Sequence, residues 1–84
     1  MRTQKVFTLY VDNGHAWAKV PREMLVQMGI VKDITQGSYQ RGDYVYLEED
    51  GDLDTFVKAY PIDITFNVLR SAHSRVRSYD SYRA

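Results

Sequence analysis

The chain contains no cysteine and only two histidines, His15 and His73. That excludes a disulfide scaffold and any thiolate zinc site, and two imidazoles alone do not make a standard zinc set. Length is also short. At 84 residues the expectation is one domain burying only about 60 to 65% of its unfolded surface, which leaves stability marginal, favours self-association and speaks against a multi-step enzyme. No apolar run approaches the roughly 18 residues of a membrane span, and the opening "MRTQKVF" lacks the apolar stretch of a secretory signal. A soluble, cytoplasmic protein is expected. No nucleophile has an evident base and no Gly-rich phosphate loop is present, so neither catalysis nor a cofactor is expected.

Net charge is absent too, but only on average. Residues 1–42 carry six Lys/Arg against three acids, residues 43–69 one Lys against seven acids, and residues 70–84 four Arg against one Asp. An acidic middle therefore lies between basic ends. Such a division suits a head-to-tail contact between protomers or a tail folded onto its own domain; solvated loops and caps produce the same pattern.

The elements that are present can be read from periodicity. "KVFTLYV" (5–11) alternates, "DNG" supplies a hairpin turn, and "HAWAKV" (15–20) is the returning strand. Pro21 suits the first turn of a helix, Met24, Leu25 and Met28 recur at helical spacing, and Gly29 followed by Ile30 reads as a left-handed cap with its hydrophobic contact. After the polar loop "DITQGSYQRGD" comes the strand "YVYLEE". A second helix starts in "DGDLDTFVKAY", with acids at its positive end and Lys58 near the other, and Pro61 stops it. "IDITFNV" is the last strand. The prediction is an α+β domain over residues 1–69, in the order ββαβαβ: a four-stranded, mostly antiparallel sheet with two short helices on one face. Residues 70–84 follow as a basic Arg/Ser/Tyr segment.

Alternation assigns the two sheet faces. Ala16, Ala18 and Val20 share one side of their strand, and His15, Trp17 and Lys19 share the other. The small residues are the plausible inner face. The opposite sheet face then collects Tyr10, His15, Trp17, Lys19, Tyr44 and Tyr46. Aromatics on an open sheet stack bases, aromatics also form homodimer seams, and the C-terminal segment could instead cover them.

That segment, "RSAHSRVRSYDSYRA", combines planar guanidinium forks for phosphate with tyrosines for stacking. The candidate ligand-binding set is His15, Trp17, Lys19, Arg41, Tyr44, Tyr46, Arg75, Arg77, Tyr79 and Tyr82, with Trp17 and the tail tyrosines stacking and Arg41, Arg75 and Arg77 holding phosphate. Other motifs are discounted. "DGDLDTFVKAYP" has the acidic spacing of a calcium loop but Thr55 and Pro61 where Gly and Glu are required. "RGD" (41–43) reads as a turn. Glu48, Glu49 and Asp50 are consecutive, so a strand splits Glu48 from Glu49 and no catalytic pair is implied.

The set "GHAWAKVP", "SYQRGDYVYLEED" and "RSYDSYR" resembles a group of small, largely uncharacterised proteins encoded by phages and mobile elements. The resemblance implies an accessory, counter-defence-like protein of the host cytoplasm that binds and inhibits, in some cases by sequestering a nucleotide immune signal. "VPREMLVQMGI" and "GDYVYLEEDGDL" are similar to the helix and the following strand of AbrB-like swapped-hairpin DNA-binding proteins, here separated by "VKDITQGSYQR". The leading expectation is a non-catalytic, homo-oligomeric protein that captures a phosphate-bearing ligand such as a signalling nucleotide. An inhibitor of a host protein, acting through the aromatic face or an edge strand, and a dimeric DNA-binding regulator are the alternatives. Neutral net charge fits the last least, because nonspecific DNA affinity comes mainly from phosphate neutralisation.

Overall fold

The computed structural model describes residues 4–84. The chain begins with a hairpin of β1 (Val6–Val11) and β2 (Ala16–Pro21) and continues into α1 (Arg22–Met28). Pro21 closes β2 and sits immediately before the helix, at φ −62 and ψ 134, so its fixed φ serves the strand exit. Gly29 takes φ 72, and the Gly29 and Ile30 amides donate to Val26 and Leu25. This is the expected left-handed cap, and Ile30 is buried behind it.

A 3₁₀ turn at Val31–Asp33 leads into β3 (Tyr39–Arg41), which turns through Gly42 at φ 57 into β4 (Tyr44–Glu48). "RGD" is thus a tight hairpin. Next come α2 (Asp52–Ala59), β5 (Thr65–Arg70), a 3₁₀ turn at Arg75–Ser78 and β6 (Asp80–Ser81). The acids at the start of α2 divide their work. Asp54 pairs with Lys58 one turn on, whereas the buried Asp52 accepts from the Thr35 amide and hydroxyl and from the Ser38 hydroxyl at 2.6 Å.

The α+β class and the two helices agree with the sequence, but the sheet is larger than expected. It has six strands in the order β5-β1-β2-β4-β3-β6, antiparallel except for the parallel β1–β5 pair. The ββαβαβ, four-stranded reading is corrected on three counts. β3 lies inside what reads as a polar loop, β6 lies in the basic segment, and the strand predicted at 62–68 pairs at 65–70. Short polar strands such as these have no alternation to betray them; β3 exists because β4 and β6 offer it hydrogen-bonding partners on both sides.

Both faces of the sheet are covered. On the helix side Phe7, Val20, Val45 and Leu47 pack with Met24, Leu25, Phe56 and Tyr60. The Phe7 ring meets Phe56 and Tyr60 edge-on, a favoured aromatic arrangement. On the other side Trp17, Tyr46 and Val76 form a second cluster, flanked by Tyr10, Tyr39 and Tyr79. The face assignment of Trp17 is correct, opposite the alanines, but the residue is not a surface residue. The turn at Arg75–Ser78 lies across it, leaving Trp17 2% exposed and Val76 fully buried. Of the three readings of the aromatic face, the one in which the C-terminal segment covers it is what the structure shows.

Trp17→Ala should cost about 3–5 kcal/mol, the range of buried large-to-small aromatic changes. Urea titration of the variant provides the check, and a loss under about 1 kcal/mol would show that the tail does not hold the indole.

Candidate functional site

The candidate residues do not converge on one pocket. Trp17, Tyr46 and Tyr79 join in the cluster beneath and beside the tail, with Tyr46 and Tyr79 ring centroids 4.9 Å apart. Burial, reinforced by the neighbouring tyrosines, pushes the Tyr46 hydroxyl up to about 12, so it stays protonated at neutral pH. Arg41 lies over Tyr79 at 5.0 Å and Arg77 over Trp17 at 5.4 Å. These are cation–π contacts within the protein. Lys19 and Tyr44 make a separate pair, 4.2 Å apart. Tyr82 belongs to the helix-side core instead, with its hydroxyl donating to the Val31 carbonyl at 2.6 Å. No ligand can stack on Trp17, Tyr46 or Tyr82 while the C-terminal segment is in place.

Arg77 has a structural partner that the sequence does not announce. Asp12, in the β1–β2 turn, is enclosed, and its two oxygens receive the Arg77 guanidinium through Nε and, at 2.9 Å, Nη2. The same carboxylate accepts from the Gly14 and His15 amides at 3.1 Å each and from the Ser74 amide at 3.4 Å. One acid thus closes the hairpin and clamps the tail. The Arg77 hydrogen bond, with smaller help from these amides, holds the Asp12 carboxyl well below the usual carboxylate range despite the opposing effect of burial. The pairing also joins the basic C-terminal segment to a residue of the basic first part of the chain, not to its acidic middle.

The cations left over gather elsewhere. Arg70 at the end of β5, His73, and Arg75 at the start of the last 3₁₀ turn line a concavity of about 380 Å³ with Tyr10, Ser71 and Ser74. Among the described residues the ion pairs are Lys58–Asp54 and Arg77–Asp12, so neither Arg70 nor Arg75 has an acidic partner. Two larger concavities lie away from this chemistry. One, of about 730 Å³, is bordered by Val57, Tyr60, Pro61, Ile62, Ile64 and Phe66; the other, of about 630 Å³, by Pro21, Arg22, Glu23, Val26 and Tyr44. Size favours those two, but each mixes charges of both signs, Lys5 with Asp63 in the first and Arg22 with Glu23 and Asp43 in the second, which makes them poorer anion sites.

Of the expected phosphate ligands, only Arg75 lies in the cationic groove. Its companions Tyr10, Arg70, Ser71 and His73 had no common signal in the sequence, being set together by the parallel β1–β5 pairing, which places Tyr10 opposite Leu69 and Val11 opposite Arg70. His15 lies at the same turn end of the hairpin but on the β2 side, its ring 5.9 Å from Trp17. A further convergence was missed entirely. Glu48 and Asp50 are brought back together by the turn after β4, where the Asp50 amide donates to Glu48 at 2.9 Å, and His15 joins them. Burial, and then the charges of Asp50 and Asp52, raise the Glu48 carboxyl above its ordinary value.

Compared with known proteins, the chain matches no family model, no curated protein and no solved structure. Among the described residues no helix is long and apolar enough to cross a membrane.

The Asp12 clamp predicts an acid limb in stability. A carboxyl whose folded-state pKa is depressed contributes fully above its unfolded value, here the ordinary 3.8, and loses that contribution as pH falls below it. Denaturation midpoints measured between about pH 6 and pH 2 should therefore decline most steeply below 3.8, and Asp12→Asn should be less stable at neutral pH with a flatter acid limb.

Proposed function

We propose that the protein is a non-catalytic binding protein that captures a phosphate-bearing small molecule, such as a signalling nucleotide, in the groove between Tyr10, Arg70, His73 and Arg75. The observation that carries this reading is that Arg70 and Arg75, beside an aromatic ring, have no acidic partner among the described residues. Guanidinium forks match phosphate oxygens in bidentate geometry, the Ser71 hydroxyl adds a neutral donor, and Tyr10 offers a face to a base. The resemblance to phage-encoded accessory proteins supports withholding of the ligand from a host as the biological purpose. The stacking role moves from Trp17 and the tail tyrosines to Tyr10, which flanks the same cluster as Tyr79 but also lines the groove.

Titration of the protein with a panel of mono- and dinucleotides, followed by calorimetry, tests the reading. Arg75→Ala and Arg70→Ala should each weaken the complex by about tenfold or more, since a charge-assisted hydrogen bond contributes about 1.5–3 kcal/mol. His15→Ala should leave it unchanged. Absence of binding across the panel overturns the proposal. So does a duplex-DNA affinity that collapses between roughly 50 and 200 mM salt, the signature of phosphate-backbone neutralisation.

A second reading, self-association, is favoured by one edge of the sheet. The β6 edge is two polar residues long, whereas β5 presents six residues without Pro or Lys and leaves Val68 45% and Leu69 55% exposed. Such an edge is a template for another strand. We propose a second copy of this chain as its occupant, paired antiparallel through β5. That orientation sets Asp63, before the strand, near the partner's Arg70 at its end, while a parallel pairing would oppose like charges. It also places Phe66 and Val68 of each copy on the same face as those of the other, extending the helix-side core. Light scattering at micromolar concentration should report about twice the 9.8 kDa of one chain, and Val68→Lys should restore the single-chain mass. A wild-type mass of 9.8 kDa would dismiss this interface.

A further inference from the structure

We propose that His15, Glu48 and Asp50 form a binding site for a divalent first-row transition-metal ion, on the β2–β4 side of the sheet, whereas the cationic groove lies on the β1–β5 side. One ligand atom from each residue lies within 4.8 Å of the others. Donors on a single tetrahedral zinc-like ion, with bonds of about 2.0–2.2 Å, stand about 3.3–3.6 Å apart. The donors therefore have to close by up to about an ångström, a rotation available to the exposed side chains of His15 and Asp50.

The three donors are held in place by the sheet. β2 and β4 pair with Trp17 opposite Glu48, and the Glu49 amide donates to the Ala16 carbonyl at 3.1 Å. This pairing fixes the distance between residues 15 and 48 through backbone alone. The His15 amide is tied to Asp12, and its ring lies against Trp17 at a 35° tilt. Glu48 is half-buried, and its carboxylate already positions the Asp50 amide. All three ligands are thus presented from restrained backbone.

Charge and donor chemistry select the ion. Neither ion pair among the described residues involves Glu48 or Asp50. Arg77, which lies over the Trp17 ring against which His15 packs, is occupied by Asp12. Two carboxylates without a cationic partner favour a divalent ion, and the imidazole favours a transition metal over magnesium or calcium, which prefer all-oxygen sets. Three protein donors leave the remaining coordination positions to water.

The only tryptophan of the chain reports on the site directly. Titrating untagged protein with Co²⁺ or Ni²⁺ should quench Trp17 emission saturably, at one ion per chain, because the indole lies beside His15. His15→Ala and Glu48→Gln should each move the midpoint at least tenfold to higher metal, while His73→Ala should titrate like the wild type. Zn²⁺ should raise the thermal midpoint of the wild type and not of His15→Ala, as expected for a ligand that binds only the folded chain. Circular dichroism establishes that each variant is folded, and the wild-type titration stands alone if one is not. Binding weaker than about 1 mM, or a His15→Ala protein that binds as tightly as the wild type, overturns the site.

Discussion

A sheet with two apolar faces must be covered twice, and this requirement organises the molecule. The helices α1 and α2 cover one face around Phe7, Val20, Val45 and Leu47. The other face carries Trp17 and Tyr46, and exposing such aromatic area to water would cost several kcal/mol at about 25 cal/mol per Å². The last 15 residues contain one aliphatic residue larger than alanine that can serve, Val76, and the chain delivers it to the gap between the two rings. Apart from Tyr79, which flanks the same cluster, and Tyr82, which enters the helix-side core, the segment is polar and holds Val76 in place. Arg77 anchors on Asp12, Ser74 caps the turn by accepting from the Val76 amide at 3.3 Å, and β6 pairs with β3.

This arrangement explains why the aromatic and cationic content of the chain overstates its binding surface. Arg41, Arg77 and Lys19 each lie over an aromatic ring of the protein itself. Arg22 does the same over Tyr82, while also donating to Gln40 and to the Arg83 carbonyl. Such contacts stiffen the segment through many small contributions, about 0.5–1 kcal/mol each at exposed positions. Two sets of polar groups stand apart from these contacts: Arg70, His73 and Arg75 on the β1–β5 side of the sheet, and His15, Glu48 and Asp50 on the β2–β4 side. The two sets are opposite in charge and are held by different strand pairings.

Much of the fold was legible because its signals are local. The alternation of Phe7, Leu9 and Val11, the Gly29–Ile30 cap and the acids before α2 each depend on neighbours a few residues away. The faces of β2 and β4 were read correctly for the same reason. What the sequence did not disclose depends on long-range pairing. Gln40 is a strand residue because β4 and β6 flank it, and Ile62 and Ile64 alternate like a strand yet pack on the core as a loop before β5 begins. Trp17 illustrates the limit for the site. Its side of the strand follows from period two, but its burial follows from a residue 59 positions further along the chain. Asp12 and Arg77, 65 apart, could be matched only once the topology was known.

The parallel β1–β5 pair, with Val6 opposite Thr65 and Val11 opposite Arg70, also shapes how the chain reaches this state. The hairpins β1–β2 and β3–β4 close over a handful of residues and can form on the microsecond scale. β5 must instead find β1 across the whole intervening chain, and that loop's entropy is lost before any contact is made. The residues after β5 dock only on a sheet already assembled, because the gap filled by Val76 lies between side chains of β2 and β4. Folding therefore runs from the middle of the sheet outward, and the edge strand and the cover of the aromatic face are its last additions. These same parts are the first to be released in partial unfolding, which makes accessibility of the Trp17 surface a matter of how often the molecule opens.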